Sequence, residues 1–324
     1  MTDGSAGFHQ GTATPWDTDY HSPALAAEVV ALLGGSALVL DGTLGGGGHS
    51  RALLDHGVGK VIGLDRDPDA LAAAGTRLAE EVARGRFAAY LGNYAAIDAI
   101  PAIADLRFTG ILLDLGISSH QIDDAARGFS FREGAPLDMR MGGADDASRT
   151  AGELLDEADE AELVRIFREF GDEPRAGRLA REVIRRRDNR PFRTSDDLVG
   201  AIRGALGART GPSDFARLFQ AVRIAVNDEL DGLARALPAL RDRLAPRGTL
   251  AVIAYHSGED RLVKHAFREW SASCICPPRQ PMCTCGGDRA LGGTVTRRAV
   301  TASAEETARN PRSRSARLRA WRAR

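Results

Sequence analysis

One stretch constrains this chain more than any other: Val39-Leu40-Asp41-Gly42-Thr43-Leu44-Gly45-Gly46-Gly47-Gly48-His49-Ser50. The apolar run 37–40 reads as a buried strand. Five glycines follow among the seven residues 42–48, and Arg51-Ala52-Leu53-Leu54 begins a helix. Strand, glycine loop and helix form the first unit of a doubly wound sheet, whose ligands sit beyond the carboxyl ends of the strands. Glycine is needed where the chain turns sharply and a ligand meets bare backbone. The helix that follows offers unpaired N–H groups and a partial positive charge.

A dinucleotide loop would read Gly-x-Gly-x-x-Gly directly after the strand. Here an acid, Asp41, comes first, and Thr43, Gly45 and Gly47 follow at alternate positions. That order is closer to the acid-x-Gly-x-Gly-x-Gly loop of S-adenosylmethionine (SAM) methyltransferases. A second acid, Asp65, ends the next apolar run, Val61-Ile62-Gly63-Leu64. An acid there is placed to accept hydrogen bonds from both ribose hydroxyls of an adenosine. A nicotinamide oxidoreductase would account for these two strand ends, but not for the acid-first loop.

The rhythm continues for two more units. Pro68 opens a helix to about Ala83, and 87–91 is a third strand closing on Gly92-Asn93-Tyr94, where Tyr94 could stack on adenine. The fourth strand, 110–116, is continuously apolar with Asp114 near its end, the pattern of a parallel strand covered on both faces. Upstream, Ser22, Pro23 and Gly34 read as N-cap, first position and stop of a helix. Residues 1–20 read as a disordered tail.

The alternation then stops. Residues 118–212 contain no convincing strand, and helices are expected over 158–170, 175–187 and 194–206, the last capped by Thr194 or Ser195. The expected architecture is therefore α/β, a Rossmann-like doubly wound sheet from residues 21–117 and 213–324 with an all-helical domain, 118–212, inserted for substrate recognition. Seven arginines fall within 178–193, and nine within 297–324. Both runs suit phosphates, although a charge run is also what a solvated face looks like, and 316–321 could instead pair as an edge strand. A fifth strand is expected over 248–255 and a helix over 259–270.

No apolar run approaches the roughly 20 residues that span a bilayer, and the first residues lack a secretory signal's basic and apolar regions. The expectation is a cytoplasmic protein with no membrane partner. Its net charge of −1 argues neither for nor against nucleic acid, because local patches decide. The four cysteines form Cys274-x-Cys276 and Cys283-x-Cys285. Clustered thiols in a cytosolic chain suggest zinc more than disulfides, with free thiols as the alternative.

Further motifs point to one family. They are Asp41 to Ser50, Asp65-Arg66-Asp67-Pro68, Asp114 to Gln121, Arg127-Gly128-Phe129-Ser130-Phe131, Pro136 to Met141, Phe219 to Leu230, His256 to Arg261 and Asn310 to Ser315. In this order they resemble the bacterial 16S ribosomal RNA cytosine-N4 methyltransferase family (RsmH, also called MraW). The resemblance implies a class I methyltransferase fold, SAM as methyl donor, and a decoding-centre cytidine of 16S rRNA within the small ribosomal subunit as acceptor. By position it implies SAM contacts from Gly47, Gly48, His49, Asp65, Tyr94, Asp114 and Gln121. The chain departs from the family pattern at Tyr94 (usually Phe), His120 (usually Pro) and Gly258 (usually Leu). Whether it acts as one chain or as a homodimer stays open.

Cytosine N4 is a poor nucleophile, because its lone pair is delocalised into the ring. An acceptor on the amino hydrogens would favour the pyramidal, reactive nitrogen and receive the released proton. Asp114 stands where amino methyltransferases place such a group. Ser118, Asp138 and His256 are further candidates, for which a loop hydrogen bond or cap is the competing role.

Overall fold

The computed structural model describes residues 16, 23–144, 146–277 and 280–324. Among the described residues eight strands form one sheet: β1 (Leu38–Asp41), β2 (Lys60–Asp65), β3 (Phe87–Leu91), β4 (Phe108–Asp114), β5 (Leu244–Ala254), β6 (Gly292–Thr294), β7 (Val300–Thr301) and β8 (Arg317–Ala323). Their order is β3-β2-β1-β4-β5-β8-β6, with β7 also on β8. The first five run parallel, and β8 is antiparallel to β5. The chain order therefore reverses between β1 and β4, whose carboxyl ends carry Asp41 and Asp114. In a doubly wound sheet a crevice opens at that reversal.

The helices are α1 (Ala26–Leu33), α2 (Gly48–Asp55), α3 (Pro68–Arg77), α4 (Ala79–Ala83), α5 (Ser119–Asp123), α6 (Ala151–Glu157), α7 (Glu160–Arg165), α8 (Ala176–Arg187), α9 (Ser195–Leu206), α10 (Pro212–Asn227), α11 (Glu229–Asp242), α12 (Ser257–Trp270) and α13 (Ala304–Arg309). The chain divides into two compact units. One holds the sheet (residues 1–65, 70–116 and 238–324), the other the helices of 117–237 together with 66–69.

In the sheet unit, Val39, Leu53, Val61, Phe87, Leu112, Ile253 and Leu318 belong to one buried apolar cluster. The central parallel strands carry continuous buried apolar runs, Ile111 to Leu113 in β4 and Leu250 to Ala254 in β5, the pattern of strands covered on both faces. The helical unit has its own core, in which Leu154, Phe167, Leu179, Val183, Phe192, Ile202, Leu218 and Val222 are buried together. That core includes Phe215, Phe219 and Ala221 of α10. The apolar stripe of α10 thus packs with the helices, and their unit extends past residue 212, where the sequence pattern had suggested its end.

Several local outcomes differ from the sequence pattern. Within the span expected as a tail, only Trp16 is described; its ring lies 5.4 Å from that of His56. Ser22 lies outside the described residues. Helix α1 starts later than the Pro23 signal suggests, because Leu25 adopts φ +55° and its N–H donates to Glu306 at 2.7 Å. The expected single helix from Pro68 breaks at Leu78, whose backbone leaves helical values and whose side chain is buried. The helix expected over 158–170 begins at an Asp159 cap and passes into a π-turn over Ile166–Phe170. Thr194 is the N-cap residue of α9, but its side chain makes no capping bond; instead the Asp197 carboxylate accepts the Thr194 N–H at 2.9 Å. The strand alternative for the C-terminal segment is realised, but β8 is no edge. It lies between β5 and β6.

Candidate active site

In the sheet unit the glycine loop is shaped by what surrounds it. A Cβ at Gly42 would meet Leu113 Cδ2 at 2.6 Å, so a larger residue would have to push the buried Leu113 side chain aside where the loop leaves β1. Gly45 has φ +50°, and a Cβ there would meet nothing within 4 Å. The loop is thus tight against the sheet at one end and open at its turn. Gly48 begins α2 behind Gly47, which has φ +77°.

Three acids end three strands around this loop. Asp65 accepts the Gly45 N–H at 2.8 Å, tying the end of β2 to the open turn. Asp41 is buried and takes the Ser50 hydroxyl at 2.7 Å. Its second oxygen is buried without a hydrogen-bond partner, and burial pushes its pKa up. Asp114 receives the Tyr255 hydroxyl at 2.8 Å, and its own N–H donates to Thr43 Oγ1 at 2.6 Å. His49 Nδ1 lies 3.7 Å from Asp114, while His49 Nε2 pairs with the Ala24 carbonyl at 2.9 Å. Burial, and then the adjacent Asp114 carboxylate, hold the Tyr255 hydroxyl well above its usual pKa. It therefore stays a donor at any working pH. The Thr43–Asp114–Tyr255 linkage fixes the end of β4 from both neighbouring strands.

Of the sequence candidates, this unit brings together Gly47, Gly48, His49, Asp65 and Asp114. Tyr94 is half-buried beside Gly42, where its Cβ would stand 3.3 Å from an added Cβ. His256 is the N-cap of α12: its Nδ1 accepts the Gly258 N–H at 3.2 Å. Its Nε2 lies 3.3 Å from Glu259, too poorly aligned for a hydrogen bond. Glycine at 258 leaves that cap intact.

The helical unit holds the other candidates in a structural network. Ser118 caps α5 by accepting the Gln121 N–H at 3.2 Å. Gln121 accepts the Ser118 N–H and donates to Asp67 at 2.9 Å and to the Met141 carbonyl at 3.3 Å. Arg127 donates to the same Asp67 oxygen and to Met141. Asp138 forms a two-pronged pair with Arg140 at 2.8–2.9 Å. Asn227 fastens the Pro136–Met141 segment, donating to Met139 O at 2.7 Å and accepting from Met141 N at 2.8 Å. Gln121, Ser118 and Asp138 thus all carry local structural bonds.

Two participants were not legible in advance. Tyr255 ends an apolar strand, where an aromatic reads as packing. Asp67 follows Asp65 closely enough to look redundant. Nothing in the spacing could have paired Tyr255 with Asp114, 141 residues away, and for Asp67 the available signal was its place just before the Pro68 helix start.

The arginine run 178–193 is mostly paired internally. Arg181 reaches Glu160, Arg185 and Arg186 share Glu182, Arg190 reaches Asp197, and Arg187 donates to the carbonyls of Leu155 and Ala158. In the C-terminal run, Arg317 and Arg319 pair with Asp260, and Arg324 with Asp288. Among the described residues no helix is long and apolar enough to cross a membrane.

The strand order 3-2-1-4-5, followed by an antiparallel strand inserted next to β5, is the sheet of class I methyltransferases. The model of the MraW methylase family matches residues 18–324. A ribosomal RNA small subunit methyltransferase H from Gemmatimonas aurantiaca is 63% identical over 303 residues, covering 94% of this chain and 95% of its own length. Proteins of the same name from Heliobacterium modesticaldum and Anaeromyxobacter sp. (strain K) are 46% and 47% identical, with 93% of this chain covered in each case and 97% and 96% of theirs. A match running the length of the chain, with the strand-end acids and glycine loop built as described, makes this chain a member of the MraW methylase family of small-subunit ribosomal RNA methyltransferases.

Proposed function

We propose that the chain uses SAM to methylate the N4 amino group of one cytidine in the decoding centre of 16S rRNA, within the small ribosomal subunit, in the cytoplasm. The observation that supports this reading furthest is the hydrogen bond from Gly45 N–H to Asp65. It holds the acid of β2 against the open turn of a glycine loop, a cradle suited to a nucleoside. The partnerless buried oxygen of Asp41 also fits, since a bound ammonium or a water would satisfy it.

Bound there, SAM supplies an electrophilic methyl group. The chain's own residues do the rest. Gly47, Gly48 and His49 shape the wall behind the loop, Asp65 accepts from the ribose hydroxyls, and Tyr94 stacks on the adenine. Asp114 accepts from the cytosine amino group, which favours the pyramidal nitrogen and gives the departing proton a destination. Tyr255 and Thr43 fix the direction in which Asp114 points. His256, Ser118 and Asp138 act through the segments they cap or brace, and Gln121 through Asp67. The inserted helices recognise the RNA, and the cytidine leaves its stack to enter the site, as in other base-modifying enzymes.

The test is incubation of purified protein with labelled SAM and small subunits from a strain lacking the gene, followed by nucleoside analysis. The expected product is N4-methylcytidine at one position. Label on another nucleoside, or no incorporation into rRNA, would overturn the assignment.

A further inference from the structure

We propose that Cys274, Cys276, Cys283 and Cys285 form a structural zinc site that holds together the segment joining α12 to β6. All four are free thiols, and their sulfurs lie within 4.8 Å of one another. Cys283 Sγ is 3.4 Å from Cys285, 3.7 Å from Cys274 and 4.0 Å from Cys276, and Cys285 is 3.7 Å from Cys274. Four sulfurs each about 2.3 Å from a tetrahedral ion stand about 3.8 Å apart. The thiols thus converge on a common centre and do not sort into two pairs, as disulfide partners would.

The surrounding backbone fits thiolate ligands. Thr284 N–H donates to Cys276 Sγ at 3.4 Å, and the N–H groups of Gly287 and Ile275 point at Cys285 Sγ. Gly286 and Gly287 both have positive φ, +84° and +70°, which lets the chain double back on Cys285. Such donors stabilise ligand charge in metal sites. The one-residue gap is shorter than that of the common knuckle, yet across it the Cys283 and Cys285 sulfurs stand 3.4 Å apart, close to the spacing of two ligands on one ion.

The segment also needs such a link. Its ends are tied by Leu291 N–H to Trp270 O at 2.8 Å and Arg289 N–H to Ser273 O at 2.9 Å. Between 271 and 291 no described residue is buried. Ile275 and Met282 are 66% and 78% exposed, so no apolar core organises the excursion. Small segments without a core rely on metals or disulfides. Four thiolates also leave no open coordination position, which makes the ion structural and not catalytic.

The test uses the full chain purified without chelator. Elemental analysis is expected to give about one zinc per chain, and a mercurial titrated against the thiols should release it completely by four equivalents. Exchange with cobalt should give the visible absorption of tetrahedral thiolate coordination, and metal removal should speed proteolysis within 271–291. Cys283→Ser should lose the zinc. If that variant does not fold, the titration and cobalt spectrum of the unaltered chain decide. Metal-free protein with four promptly reactive thiols, or with two disulfides under reducing purification, would overturn the site.

Discussion

At the scale of single residues, the sheet unit separates side chains that would touch ligand from those that hold them. Asp65 accepts the Gly45 N–H of the loop, and on the proposed reading it accepts from a ribose as well. Asp65→Ala is expected to weaken SAM binding by about 1–3 kcal/mol, the cost of leaving hydroxyls unpaired in a closed pocket. Calorimetry on folded variant that returned an unchanged dissociation constant would remove Asp65 from the site. Tyr255 is a positioning residue. A hydrogen bond to a charged group contributes about 1.5–3 kcal/mol, and Tyr255→Phe removes only that from Asp114. With the ring still packed, SAM affinity should stay within about twofold while kcat falls about tenfold, a loss near 1.4 kcal/mol. Equal losses in affinity and kcat would mean that the hydroxyl shapes the pocket as a whole and not the carboxylate.

At the scale of elements, the chain shows which motifs are legible and why. The glycine loop and the strand-end acids could be read because their roles are local: strand, turn and helix are neighbours in sequence, and the acids mark strand ends. The bracing of the motif Pro136–Met141 could not, because its holders come from afar. Asn227 and Arg127 bind its backbone across 86 and 14 residues respectively at Met141, and nothing in the spacing announces that pairing. For the same reason, β6 and β7 escaped notice: both depend on β8, which comes later in the chain.

Arg66 braces the same region by pairing with Asp146 at 2.8 Å. Burial opposes ionisation of Asp146, but hydrogen bonds from Ser148 and the Arg66 charge prevail and lower its pKa from 3.8 to about 2. A carboxylate depressed on folding adds stability that is fully present above its ordinary value and disappears as pH falls through the folded one. Asp146→Asn should therefore lower the thermal midpoint at pH 7 and leave it nearly unchanged near pH 2. An equal drop at both pH values would assign the effect to geometry and not to charge.

At the scale of the whole molecule, charge decides how RNA can be held. The net charge is −1, and the arginine run in the helices is largely matched by acids of the same unit. Each such arginine must leave its acid before it neutralises a phosphate, so binding releases fewer counterions than the arginine count suggests. Affinity for the small subunit is expected to fall with salt at a slope of about −2 to −4 in logarithmic terms, corresponding to roughly two to four phosphate contacts. A slope near −8 would mean that the internal pairs open on binding. Charge alone cannot read sequence, so selectivity must come from RNA shape and a splayed base. Short oligonucleotides carrying the target cytidine should therefore be methylated poorly even at low salt, while assembled or nearly assembled subunits are methylated once. The decisive comparison is nucleoside mass spectrometry of small-subunit RNA from strains with and without the gene. N4-methylated cytidine should vanish in its absence and return when purified protein and SAM are added to the unmodified subunits. If the modified nucleoside persists at its normal level without the gene, the rRNA target proposed for this chain is wrong.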